Sequence, residues 1–156
     1  PVVNKGEFHF VSGKLQSNEN MSGEDLRALM VRNGGTAYMY SGTLIANTNN
    51  GSALLVSTTP PTMGNLVLCY SEQPLTIISN NVDKIFNDLS RIKVSDDIVL
   101  DITYGPNADG TGTTTVTNQT EISDEVNASK YLQIKTKRKI TIAAEANPLS
   151  KLDFTK

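Results

Sequence analysis

The chain has no tryptophan, one cysteine (Cys69) and one histidine (His9) in 156 residues. Each scarcity excludes something. Catalytic sites lean on histidine, on cysteine, or on carboxylates gathered around a metal, and the first two are nearly missing. One cysteine cannot form an internal disulfide. No apolar run approaches the roughly 18 residues that a membrane helix needs. Charged residues make up only 19% of the chain and the net charge is -2, so the combination of low hydrophobicity and high net charge that marks disorder is absent. A pI near 5.4 argues against a nucleic-acid binder, whose affinity would come mainly from phosphate neutralisation. Residues 1–6 contain no apolar h-region, which gives an expectation of cytoplasmic synthesis without a signal peptide; a trimmed precursor would start the same way.

What is abundant is neutral and polar: 17 Thr, 15 Asn and 13 Ser. Threonine favours strands, while asparagine and serine favour turns. The length suits one domain, 1–156, with extended arms at 1–6 and 147–156. Residues 7–12 alternate, with Phe8 and Phe10 on one face and Glu7, His9 and Val11 on the other, as in a half-buried strand. Residues 36–46 read as a strand, and Asn50-Gly51 signals a hairpin to a partner strand at 52–58. Residues 65–70 and 75–79 are short apolar runs. Residues 98–104 alternate cleanly. A glycine-rich loop, 105–112, leads to a threonine-rich stretch that can pair back, and 130–143 is the longest strand candidate.

Two helices are predicted. Ser22 can cap one over 22–32, stopped by Asn33-Gly34-Gly35. The other covers 80–93, where Val82, Ile85, Phe86, Leu89 and Ile92 fall at helical spacing. The sum is a mainly β domain, an antiparallel sandwich or barrel with one or two short helices and no internal repeat.

No chemistry-bearing motif emerges. His9 has no strong partner in sequence and reads as a surface or packing residue. Cys69 sits in Val67-Leu68-Cys69-Tyr70, away from the basic charge that activates a thiolate. The loop from Asn107 lacks the terminal bidentate glutamate of a calcium hand, since position 118 is Asn. No catalytic residue, metal or cofactor is expected, and the chain is expected not to be an enzyme.

The notable patch is basic. Lys130, Lys135, Lys137, Arg138 and Lys139 lie within ten positions. On a strand, Lys135, Lys137 and Lys139 share a face with Tyr131. They either protect a sheet edge from unwanted pairing or dock an acidic partner such as the Asp96, Asp97 and Asp101 cluster of a neighbouring copy.

The Thr/Asn/Gly-rich segments Asn47-Thr48-Asn49-Asn50-Gly51 and Asp109-Gly110-Thr111-Gly112-Thr113-Thr114-Thr115, with the small size and single cysteine, resemble the virion proteins of tailed bacteriophages. Head decoration (cement) proteins are the first resemblance, tail-tube and baseplate subunits the second. The resemblance implies a structural protein made in the host cytoplasm and carried in the virion, working as a homo-oligomer or array on capsid or tail subunits, without membrane or nucleic acid. It carries over no site residue. A carbohydrate-binding or adhesin module is the other reading. Tyr38 and Tyr40 on one strand face support it, and the missing tryptophan weakens it.

Overall fold

The computed structural model describes residues 2–17, 27–47, 52–57, 60–61, 63–80 and 84–140. Among the described residues the chain forms mainly β structure with one short α-helix. The strands wind as a stack of three coils, each turning through three sheets. The first coil holds β1 (Val2–Asn4), β2 (Glu7–Phe10) and β3 (Lys14–Gln16). The second holds β4 (Leu29–Val31), β5 (Thr36–Met39) and β6 (Gly42–Ala46), and the third β7 (Leu54–Val56), β8 (Asn65–Leu68) and β9 (Leu75–Ser79). Each strand pairs in parallel with its counterpart one coil on: β1-β4-β7, β2-β5-β8 and β3-β6-β9. Register fixes the stacking, with Val2 beside Leu29 and Leu29 beside Leu54.

The core lies inside the coils. Alternate residues of β5, β6, β8 and β9 are buried, including Met39, Leu44, Leu66 and Ile77. Where β4 is enclosed on both sides, Leu29, Met30 and Val31 are all buried. Close winding also requires a bare backbone at Gly64, where a Cβ would run into the Val31 carbonyl.

The third coil is covered on all three faces. β10 (Ile92–Val94) adds to β8 in parallel. Phe86 bridges Leu54 in the first sheet. In the third sheet, β9 pairs antiparallel with β13 (Tyr131–Arg138), which pairs with β11 (Ile98–Gly105), which pairs with β12 (Thr114–Gln119). The hairpin expected after the glycine-rich loop is therefore present, and the long strand expected at 130–143 runs over 131–138. The helix α1 (Asp124–Asn127) is capped by Ser123, whose Oγ accepts the Val126 N–H at 3.3 Å.

Three expectations need correction. First, the strands are not antiparallel throughout: β6 and β7, expected to flank a hairpin at Asn50-Gly51, lie in different sheets, and Asn50-Gly51 itself lies outside the described residues. Second, Leu29–Val31 form a strand rather than the end of a helix; 22–26 lie outside the described residues. Third, the stripe at 80–93 does not make an α-helix over the described 84–93. Ile85 and Phe86 give their N–H groups to the backbone carbonyl (2.9 Å) and side-chain Oδ1 (2.7 Å) of Asn127, and Leu54 donates to the Ile85 carbonyl (3.2 Å). Those bonds to other elements replace the i to i-4 ladder, and a 3-10 turn at Leu89–Arg91 leads into β10. Tertiary partners have overridden a local preference that is worth only tenths of a kcal/mol per residue. The start, expected to be an arm, is extended but paired as β1. The expected arm at 147–156 lies outside the described residues.

Candidate functional site

Three surface features have chemical content. The first is the basic strand. Lys135 and Lys137 point outward from β13, both exposed, while Leu132 and Ile134 on the opposite face are buried. Ladder register sets Lys135 opposite Asp101 of β11. The Lys137 ammonium forms an ion pair with that carboxylate. The Asn118 N–H donates to Asp101 Oδ1 at 3.0 Å. Lys137, this N–H and Lys135 together hold the Asp101 carboxyl below its ordinary pKa. Arg138 pairs with Asp97 at 2.8 Å and lies 4.1 Å above the Tyr70 ring. The acids envisaged on a neighbouring copy thus sit beside these bases in the same chain.

The shared face holds for two of the three lysines. Lys139 lies past the end of β13, where its N–H donates to the Asp97 carbonyl at 2.7 Å. Tyr131 shares the outer face but is half-buried, with its ring against Gly110 of the glycine-rich loop.

The second feature is a ring stack on the outer face of the second sheet. His9 and Tyr38 are in register and their rings stack, centroids 4.6 Å and planes 12° apart. His9 Nε2–H donates to Glu7 Oε1 at 2.6 Å, and Nδ1 lies 3.2 Å from the Tyr40 hydroxyl. Cys69 follows on the next coil, half-buried; burial pushes its thiol pKa up, so the thiol rather than the thiolate is held near neutral pH. The rings lie against one another instead of forming the flat open platform that suits a sugar.

The third feature is a groove beside β10 of about 320 Å³, with Leu89, Ile92, Val94 and Ile122 as its apolar part and Lys93 and Glu121 on its rim. A second hollow continues it past Val94 to Asp96 and Lys139. Nothing in the sequence signalled this groove, because it forms between β10 and residues 120–122, which are distant in the chain.

Among the described residues, no three of His, Cys, Asp or Glu gather closely enough to hold a metal ion. No described helix is long and apolar enough to cross a membrane, which leaves membrane β-barrels unaddressed. Comparison with family models, curated proteins and solved structures finds no match to this chain.

Proposed function

We propose that the chain is a non-catalytic structural subunit that works by docking to other protein surfaces. Its proposed setting is the virion of a tailed bacteriophage, as a capsid decoration protein. The observation that supports docking is the set of strand edges left without a neighbouring strand among the described residues. β1, β2 and β3 bound their sheets at one end of the stack, β10 and β12 bound theirs elsewhere, and β7 bounds the first sheet beside the Phe86 bridge. An unpaired edge offers backbone N–H and C=O groups to another chain. The interior strand β13 of the third sheet adds an outer face with Lys135 and Lys137 exposed. The virion setting rests on the sequence resemblance alone.

The test is co-sedimentation of the purified chain with isolated capsids and, separately, tails, over a salt series. Saturable binding to capsids that weakens as salt rises is expected, because contacts between exposed charges are screened beyond about 8 Å at physiological strength. Lys135→Gln with Lys139→Glu should weaken it further; Lys135 is neutralised rather than reversed, and Lys137 is left in place, because an acid at either position would face Asp101. Absence of binding to either particle at low salt would sink the virion reading. Binding to tails alone would move the subunit to the tail tube or baseplate.

A further inference from the structure

The one histidine and the one cysteine of the chain lie on the same outer face of the second sheet, with a tyrosine hydroxyl between them. We propose that Glu7, His9, Tyr40 and Cys69 form a pH-sensitive line, in which protonation of His9 reverses the Tyr40 hydroxyl and is read at the Cys69 sulfur. The device lies within one chain and needs no docking partner.

The backbone sets the order of the groups. Parallel register puts His9 beside Tyr38 and Met39 beside Leu68. The Tyr40 N–H donates to the Phe10 carbonyl at 3.0 Å, and the Cys69 N–H donates to the Met39 carbonyl at 2.8 Å. Tyr40 is therefore tied to the first coil on one side and has Cys69 of the third coil on the other. The His9 ring stacks on Tyr38, which fixes its plane.

The protons can then be placed. An ionised carboxylate only accepts, so the 2.6 Å contact with Glu7 Oε1 puts the hydrogen of neutral His9 on Nε2. Nδ1 is left as a bare acceptor, and the Tyr40 hydroxyl 3.2 Å away must donate to it. The same hydroxyl has a second acceptor in reach. Burial pushes the Cys69 thiol pKa up, a hydrogen bond from Tyr40 pulls it part of the way down, and the Asp97 charge adds to the rise. The thiol's own hydrogen is directed at the Val67 carbonyl at 3.8 Å, which leaves a sulfur lone pair for Tyr40.

One hydroxyl hydrogen thus serves two acceptors. Imidazole nitrogen is the stronger of the two and thiol sulfur the weaker, so the hydrogen goes to Nδ1 while His9 is neutral. Protonated His9 carries a hydrogen on Nδ1 as well. Tyr40 must then accept from Nδ1 and turn its own hydrogen to Cys69, where it stabilises the thiolate over the thiol. By linkage, a thiolate at Cys69 favours the protonated histidine to the same extent. The described groups facing His9 are Glu7 on β2, Tyr38 on β5 and Tyr40 just after it. Lys93 on β10 lies in the same cross-strand row, beyond Val67. Histidine is the side chain that ordinarily changes charge between about pH 5 and 8.

Two measurements on the full chain test this, and a single histidine and a single cysteine make both signals unambiguous. Nitrogen-15 NMR of the imidazole follows the tautomer and the titration of His9. The rate of Cys69 with methyl methanethiosulfonate, an uncharged reagent, is followed over the same pH range. Log rate should fall with unit slope as pH is lowered, flatten through the His9 titration, and resume unit slope about twofold to threefold above the extrapolated line. One net hydrogen bond gives about fivefold more thiolate, and the lower basicity of that thiolate offsets about half of the gain on a logarithmic scale. Tyr40→Phe removes the hydroxyl and should give an unbroken line. His9→Gln should do the same from the other end, so a folding defect in one variant, seen by circular dichroism, leaves the other to decide. An unbroken parent line through the His9 titration overturns the proposal. So does a bend that survives in Tyr40→Phe, which would mean that the histidine charge acts on the sulfur directly. A neutral His9 with its hydrogen on Nδ1 overturns it as well.

Discussion

Asn127 is the residue whose loss most directly tests how the third coil is closed. It is 9% exposed, and its side-chain Oδ1 accepts the Phe86 N–H at 2.7 Å inside the protein. Asn127→Ala removes that acceptor and leaves a buried donor unsatisfied. An orphaned group of this kind costs about 1–3 kcal/mol. For a domain of this size each kcal/mol lowers Tm by about 2–4 °C, so Tm should fall by roughly 2–12 °C. Phe86→Ala acts on the same closure through packing. That ring is 1% exposed, and its removal should cost about 3–5 kcal/mol. Asn107→Ala is the control, because Asn107 is exposed and surface changes usually stay within about 0.5 kcal/mol. The assay is thermal unfolding followed by circular dichroism, with hydrogen exchange at the Phe86 amide. That amide should exchange faster in Asn127→Ala. If Asn127→Ala melts with the parent and the Phe86 amide stays as protected, segment 85–86 is not held as described.

Two further predictions concern titration and reactivity. Asp101 has a folded pKa below its ordinary value, chiefly through Lys137, so it contributes stability that is fully present above the unfolded value of about 3.9 and is lost as pH falls through the folded value. Asp101→Asn should therefore lower Tm at neutral pH and converge on the parent in strong acid; equal gaps at both pH values would refute the ion pair's role. Cys69, with its thiol pKa raised by burial, should react with iodoacetamide more slowly than free cysteine at neutral pH and catch up only in denaturant. Labelling at the free-cysteine rate would show that the thiol is open.

Strand positions were legible where alternation was strong. Residues 7–12 and 98–104 contain strands with the expected faces, and 75–79 contains β9, because period-two burial depends on the pleat alone. Residues 36–46, expected as one strand with Met39 and Ile45 on a shared face, are two strands, β5 and β6, in different sheets, and Met39 is buried while Ile45 is not. Strand direction was not legible, since the same alternation serves parallel and antiparallel neighbours. The repeat was hidden by uneven coils: Val2, Leu29 and Leu54 stack at spacings of 27 and 25 residues, whereas Leu15, Leu44 and Ile77 stack at 29 and 33. No fixed period survives that variation. At 80–93 the apolar spacing fits a helix, yet Ile85 and Phe86 serve as plugs whose backbone is bonded elsewhere. The outward parity of Lys135 and Lys137 was readable; the placement of Asp101 between them depends on the pairing of β11 with β13.

The switch of direction at β9 divides the molecule by how it should come apart. Before β9, every strand is tied to a neighbour one coil away, so the first coil can fray without disturbing the third. After β9, hydrogen bonds join β9, β13, β11 and β12 crosswise, and β13 reaches back from residue 134 to Leu75. Amide exchange should therefore form a gradient, fastest in β1 to β3 and slowest around Ile77, Ile102 and Leu132, where local opening approaches the cost of global unfolding.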